Sequence, residues 1–178
     1  MPMGGMLSPR SGVSMFEEAT ISLGNSIKRL PASLSGAAGQ YFVAAELSRR
    51  GIIASLTLRN ARGIDVLAAN ESGTRSVGIQ VKTNQDGGKE WVVHQKAEDL
   101  HAENLFYVFV NLNGSKGSPE YHIVESEIVA TSIRESHQNW LVGTKKDGSP
   151  RKDTTMRMFR DRASEYLNAW NRLGFETR

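Results

Sequence analysis

Gly63-Ile64-Asp65-Val66-Leu67-Ala68-Ala69, then Asn70-Glu71-Ser72-Gly73, then Ser76-Val77-Gly78-Ile79-Gln80-Val81-Lys82-Thr83 is the stretch whose reading decides the fold. Two runs rich in β-branched and aliphatic residues flank a turn signal, which predicts an antiparallel hairpin. Side chains alternate across a strand, so Val77, Ile79 and Val81 share one face and Gly78, Gln80 and Lys82 the other. The same alternation puts Ile64 and Val66 together and turns Asp65 the opposite way. Two strand residues span roughly 6.5–7 Å, which brings the heads of Gln80 and Lys82 near each other. With the hairpin in register, Asp65 is expected across from them: an acid, an amide and an amine converging on one sheet face.

Upstream, Gly36 to Arg50 predicts a helix that buries Ala37, Phe42, Val43 and Leu47. Ser33 or Ser35 can cap its start, and Gly51 stops it. Ile52 to Arg59 reads as a strand. Downstream, Trp91 to Val93 reads as a short strand and Gln95 to His101 as a short helix. Leu105 to Leu112 reads as a buried strand with Tyr121 to Val124 as its partner. Ser126 to Asn139 predicts a helix, Thr144 to Lys152 a basic turn-rich loop, and Thr155 to Leu173 a last helix ending at Gly174. Trp140 and Trp170 are expected to clamp the C-terminal helices to the body. The fold class is therefore α/β (α+β mixed), a central mixed sheet flanked by helices. Residues 1–34, rich in Gly, Ser, Pro and Met, are expected to form a poorly ordered leader. The cluster of Met1, Met3, Met6 and Met15 leaves the true start open. Residues 35–178 are expected to form a single domain.

The 178 residues suffice for a hydrophobic core without covalent staples. The sequence has no cysteine, which excludes disulfides, thiolate catalysis and cysteine-held zinc. His94, His101, His122 and His137 lack zinc-type spacing and read as surface or capping residues. No P-loop and no G-x-S-x-G nucleophile motif occurs. The longest apolar run, Leu105 to Val110, is too short to span a bilayer. No secretory apolar segment opens the chain, so a cytoplasmic protein without membrane contact is expected. A net charge of +3 and a pI of about 9.3 suit a polyanionic partner without naming one.

Gly36-Ala37-Ala38-Gly39-Gln40, Ala45-Glu46-Leu47, Gly51, Gly63-Ile64-Asp65-Val66 and Ile79-Gln80-Val81-Lys82-Thr83 together resemble the core of the PD-(D/E)XK nuclease superfamily. They look closest to Mrr-type restriction endonucleases and archaeal Holliday-junction resolvases, over roughly residues 36–112. The resemblance implies a restriction-endonuclease-like core and hydrolysis of DNA phosphodiester bonds with Mg2+ or Mn2+. Asp65 would be the anionic metal ligand, and the Gln80 side-chain oxygen and Val81 carbonyl neutral ones. Lys82 would orient or deprotonate the attacking water, or offset charge on the phosphate. The position matching the family's first-helix acid holds Gln40. Glu46, six residues on and about 240° around the helix, replaces it only if the helix is rolled. Gln in the first position of the motif occurs in the Mrr-type branch.

Arg59 and Arg62, which flank the site strand, and Lys145 and Lys146 in the basic loop are the candidate phosphate contacts. DNA is the expected partner, and a homodimer is compatible with the superfamily's habit. Two other readings stay open. The scaffold survives as a DNA-binding or protein-interaction module with catalysis impaired, or the chain is an unrelated α/β domain whose last helix docks a partner.

Overall fold

The computed structural model describes Met1 and residues 29–58, 63–114 and 117–175. The chain runs α1 (Ala32–Arg49), β1 (Ile53–Leu56), β2 (Val66–Ala69), β3 (Ser76–Asn84) and β4 (Glu90–His94). A 3-10 turn (Gln95–Glu98), β5 (Leu105–Asn111), β6 (Glu120–Glu125), α2 (Ser126–Leu141), β7 (Met156–Arg160) and a second 3-10 turn (Trp170–Leu173) follow. A five-stranded mixed sheet forms the centre, in the order β1-β2-β3-β5-β6. Only β3 and β5 pair in parallel within it; the other neighbours are antiparallel. A separate two-stranded sheet pairs β4 with β7. The expected mixed α/β architecture, with helices on a central mixed sheet, is therefore present.

Each face of the central sheet carries its own core. On one side Val43 and Leu47 of α1 pack with Val66, Ile79, Val81, Phe106 and Val108, joined by Trp170 and Leu173. On the other, Tyr107, Phe109 and Val124 pack against Trp91, Val93 and Phe159 of the small sheet and Val129 and Ile133 of α2. Strand β5 is covered on both sides, so every one of its residues is buried. Burying each large apolar side chain there contributes about 1.5–3 kcal/mol. Phe109 stacks on Phe159 at 4.3 Å between ring centroids, which ties the small sheet to the large one.

The predicted hairpin forms, with Val66 opposite Ile79 and Ala69 opposite Ser76. Asn70 closes the turn: its side-chain oxygen accepts the Arg75 N–H at 3.0 Å, and Gly73 supplies the positive φ of 69°. Helix α1 departs from expectation at its start and on its buried face. It begins at Ala32 behind Pro31, whose φ of −53° suits helix entry, with no side-chain cap. Ser33 and Ser35 lie inside the helix, and residues 32–34 of the expected leader belong to it. The remaining leader positions other than Met1 and residues 29–31 lie outside the described residues. The buried row is Ser35, Gly39, Val43 and Leu47, while Ala37 is partly buried and Phe42 is 42% exposed. Small residues face the sheet because the helix approaches it closely at Gly39. A Cβ added there would lie 2.0 Å from Thr83 Oγ1.

The predicted helix from Thr155 to Leu173 is the main correction. Met156–Arg160 is strand β7, with Arg157 and Phe159 inward at a period of two. Buried Asp161 then turns the chain. Its carboxylate accepts the N–H groups of Glu165 and Tyr166 at 2.8 and 3.0 Å, plus His122 Nδ1 at 2.6 Å. Those backbone bonds compete with helical ones, and Ser164 and Asn168 sit at positive φ. The following segment covers the β6 edge, with Ile123 N–H donating to Tyr166 O and Asn168 N–H to Tyr121 O. His122, expected as a surface or capping residue, is fully buried in that junction. Trp170 packs into the core beside Tyr121. Trp140 does not clamp a C-terminal helix; it is 40% exposed, between His137 and Arg151. Among the described residues no helix is long and apolar enough to cross a membrane.

Candidate active site

Strand β2 begins at Val66, whereas β3 continues past its partner Ile79 to Asn84. Beyond Ile79, the β2-facing edge of β3 therefore has no strand to bind. Asp65 fills that edge. Its N–H donates to Ile79 O at 2.8 Å, and its carboxylate Oδ2 accepts the Val81 N–H at 2.8 Å. On the other side, Thr57 N–H donates to Asp65 O at 3.0 Å. Asp65 and Val66 thus both address Ile79, a bulge-like offset that re-aims the acid. Its consequence corrects the simple alternation. Ile64 lies against Gly78, near enough that a Cβ on Gly78 would meet Ile64 Cδ1 at 3.0 Å. Ile64 is therefore on the Gly78 side, away from Val66, and Asp65 points along the strand edge.

The second carboxylate oxygen, Oδ1, accepts a hydrogen bond from Gln40 Nε2 of α1 at 3.0 Å. The close approach at Gly39 makes this possible, since the next residue is carried within reach of the end of β2. Gln40, Asp65 and the Val81 backbone thus form one connected bracket. A strand residue directs its N–H and C=O to the same edge, so the Val81 carbonyl faces the end of β2 as well.

Gln80 and Lys82 project from the face shared with their parallel partners Tyr107 and Phe109. Both are half-buried. Among the described residues the Gln80 side chain has no hydrogen-bond partner. Asp65 and Lys82 do not form a direct ion pair, although they act on each other electrostatically. Burial lowers the Lys82 pKa, and the Asp65 charge opposes that change without cancelling it. Tyr107 is pushed up to about 12, first by burial and then by Asp65. Gln80 and Lys82 thus share the face the alternation implied, whereas Asp65 stands at the strand edge, bonded to the Val81 N–H, rather than squarely across from them.

The other sequence candidates are placed differently. Glu46 accepts from Arg49 and Arg50 at 3.0 Å, and those bonds, led by Arg49, hold its carboxyl below the usual range. It does not join Asp65. Lys145 and Lys146 are exposed on the loop after α2, where Lys145 N–H donates to Ser149 O. Arg59 and Arg62 lie outside the described residues. Sequence reasoning gave Thr57, Gly39 and Tyr107 no role at the site. Tyr107 reads as core in a run of apolar residues, and only the β3–β5 register places it beside Gln80.

The oxygens these residues offer are hard donors: the Asp65 carboxylate, the Val81 carbonyl and the side-chain oxygens of Gln80 and Gln40. They suit a Mg2+-like ion in kind. The formal negative charge comes from one carboxylate. Among the described residues no group of three or more His, Cys, Asp or Glu could hold a metal.

No protein-family model matches the sequence, and no curated protein matches it. Solved structures similar in backbone course include the following two. One is Hjc, a Holliday junction resolvase from Archaeoglobus fulgidus, at TM-score 0.41 and 9% identity over 74% of this chain and 86% of that one. The other is the bacterial homing endonuclease I-Ssp6803I, at TM-score 0.48 and 15% identity over 80% of this chain and 92% of that one. At such identities nothing about individual site residues follows from the likeness.

Proposed function

We propose that the chain is a metal-dependent endonuclease of the PD-(D/E)XK type, with Gln80 and Lys82 in a QxK variant of the motif and DNA as substrate. The bracket of Gln40, Asp65 and Val81 at the end of β2, beside a half-buried lysine, carries this reading. A solvated surface pair would leave its lysine in water at its ordinary pKa. Here burial moves Lys82 toward the neutral amine.

Asp65 is preorganised for the role. Its carboxylate is held by Gln40 and by the Val81 N–H, so little rearrangement is needed when it binds. Bound Mg2+ or Mn2+ would lower the pKa of a water and offset negative charge growing on the phosphate. Asp65, Gln80 and the Val81 carbonyl are the residues to hold it. Lys82, as the neutral amine, accepts the proton of the attacking water; as the ammonium, it offsets phosphate charge. Gln40 stands where a carboxylate would add charge, so its amide orients Asp65 and contributes at most a neutral oxygen.

The test is cleavage of supercoiled plasmid DNA by the purified chain with Mg2+ or Mn2+. Lys82→Ala should abolish nicking while the circular dichroism spectrum is unchanged. Equal nicking by the variant would refute the assignment. The single carboxylate favours a second reading, a nuclease scaffold that binds DNA without cutting it. Salt-sensitive DNA binding with no cleavage in either metal would support that alternative.

A further inference from the structure

Tyr107 sits on the strand where an apolar side chain would be expected. Its neighbours Phe106, Val108 and Phe109 are all apolar, and its ring stacks on Phe109 at 5.7 Å. The residue is fully buried, and its hydroxyl has no hydrogen-bond partner. A phenylalanine there would pack equally well without the cost of desolvating an O–H group. The register pairs Tyr107 with Gln80, so both side chains leave the same face of adjacent strands. Each Asp65 oxygen already accepts one protein hydrogen bond, whereas the Gln80 amide oxygen accepts none.

We infer that Tyr107 is a positioning residue of the candidate active site: its hydroxyl donates to the side-chain oxygen of Gln80 and orients that amide when the site takes up its ligand. This rests on the proposed endonuclease function. Tyr107 does not touch the substrate, because no part of it is exposed. Its action passes through Gln80. A phenol O–H is a hydrogen-bond donor at neutral pH.

The experiment uses the full chain with tyrosine labelled with 13C at Cζ. The four tyrosines limit the spectrum to a few resonances, and Tyr107→Phe assigns the relevant one while keeping the ring. Spectra are taken with and without Mg2+ plus a duplex oligonucleotide, in the wild type and in Gln80→Ala. The Tyr107 resonance should move when Mg2+ and DNA are added, and Gln80→Ala should remove that movement. In cleavage assays Tyr107→Phe should lower kcat about tenfold, the loss of about 1.4 kcal/mol, with KM unchanged and no drop in Tm. Adding Tyr107→Phe to Gln80→Ala should cause no further loss. A resonance indifferent to Gln80, or a Tyr107→Phe variant cleaving like wild type, would overturn the inference. If the wild type itself cuts no DNA, the endonuclease reading falls. The Gln80 dependence of the Tyr107 resonance then decides the positioning role alone.

Discussion

Replacing Gly39 by alanine tests the contact that delivers Gln40 to Asp65. In an exposed helix interior this substitution stabilises by roughly 1 kcal/mol, because glycine loses more backbone freedom on folding. Here the new methyl would lie 2.0 Å from Thr83 Oγ1, 3.1 Å from its Cβ and 3.2 Å from its Cγ2. Rotating Thr83 moves the hydroxyl away but leaves the Cβ in place, so either the helix or β3 must yield. Overpacking of this kind costs about 1–3 kcal/mol. The net expectation for Gly39→Ala is a loss of roughly 0–2 kcal/mol, the difference of those two effects. Thr83→Ala removes the hydroxyl and the branch methyl, so in that background Gly39→Ala should be tolerated far better. Urea denaturation of the four proteins in this cycle should give a coupling energy of about 1–3 kcal/mol. A Gly39→Ala protein about 1 kcal/mol more stable than wild type, with no coupling to Thr83, would refute the close approach.

Gln40→Glu would set a second carboxylate 3.0 Å from Asp65, so Tm should fall in EDTA and rise with Mn2+ by more than in wild type. Equal metal response in the two proteins would show that Gln40 does not face the binding position. Lys82 has a folded pKa below its unfolded value, so the unfolded chain binds more protons between the two. The penalty is complete below the folded pKa, and stability rises with pH through that window. Lys82→Met should therefore be more stable than wild type at neutral pH, with the advantage shrinking as pH rises toward 10.5; an advantage that grows with pH would contradict this. Asp161→Ala removes the acceptor of three hydrogen bonds at the buried junction with His122. It should cost about 3–5 kcal/mol by urea denaturation, and a change within about 0.5 kcal/mol would argue against that hub.

Local pattern was a good guide where the chain's own alternation and turn chemistry dominate. The hairpin from Val66 to Asn84, the buried strand β5 with its partner β6, and α2 were legible for that reason. It failed from Thr155 to Leu173, where helix-forming residues are overridden by tertiary contacts. Phe159 is drawn against Phe109, and Asp161 binds backbone groups that a helix would have used. The face of α1 was read correctly at Val43 and Leu47 but misread at Phe42 for a related reason. Phe42 carries the larger apolar surface, yet the row that meets the sheet runs through Gly39, where the helix comes too close for a larger side chain.

The sequence by itself determined that Asp65 enters one arm of a hairpin whose other arm carries Gln80 and Lys82, because period-two alternation and a turn running from Asn70 to Gly73 are properties of neighbouring residues. Only the tertiary structure decided how they meet. The offset opposite Ile79 turned Asp65 onto the strand edge, the glycine contact carried Gln40 to it, and the parallel pairing of β3 with β5 set Tyr107 beside Gln80. Those relations join residues far apart in the chain, and they exist only once the two cores have closed around the sheet.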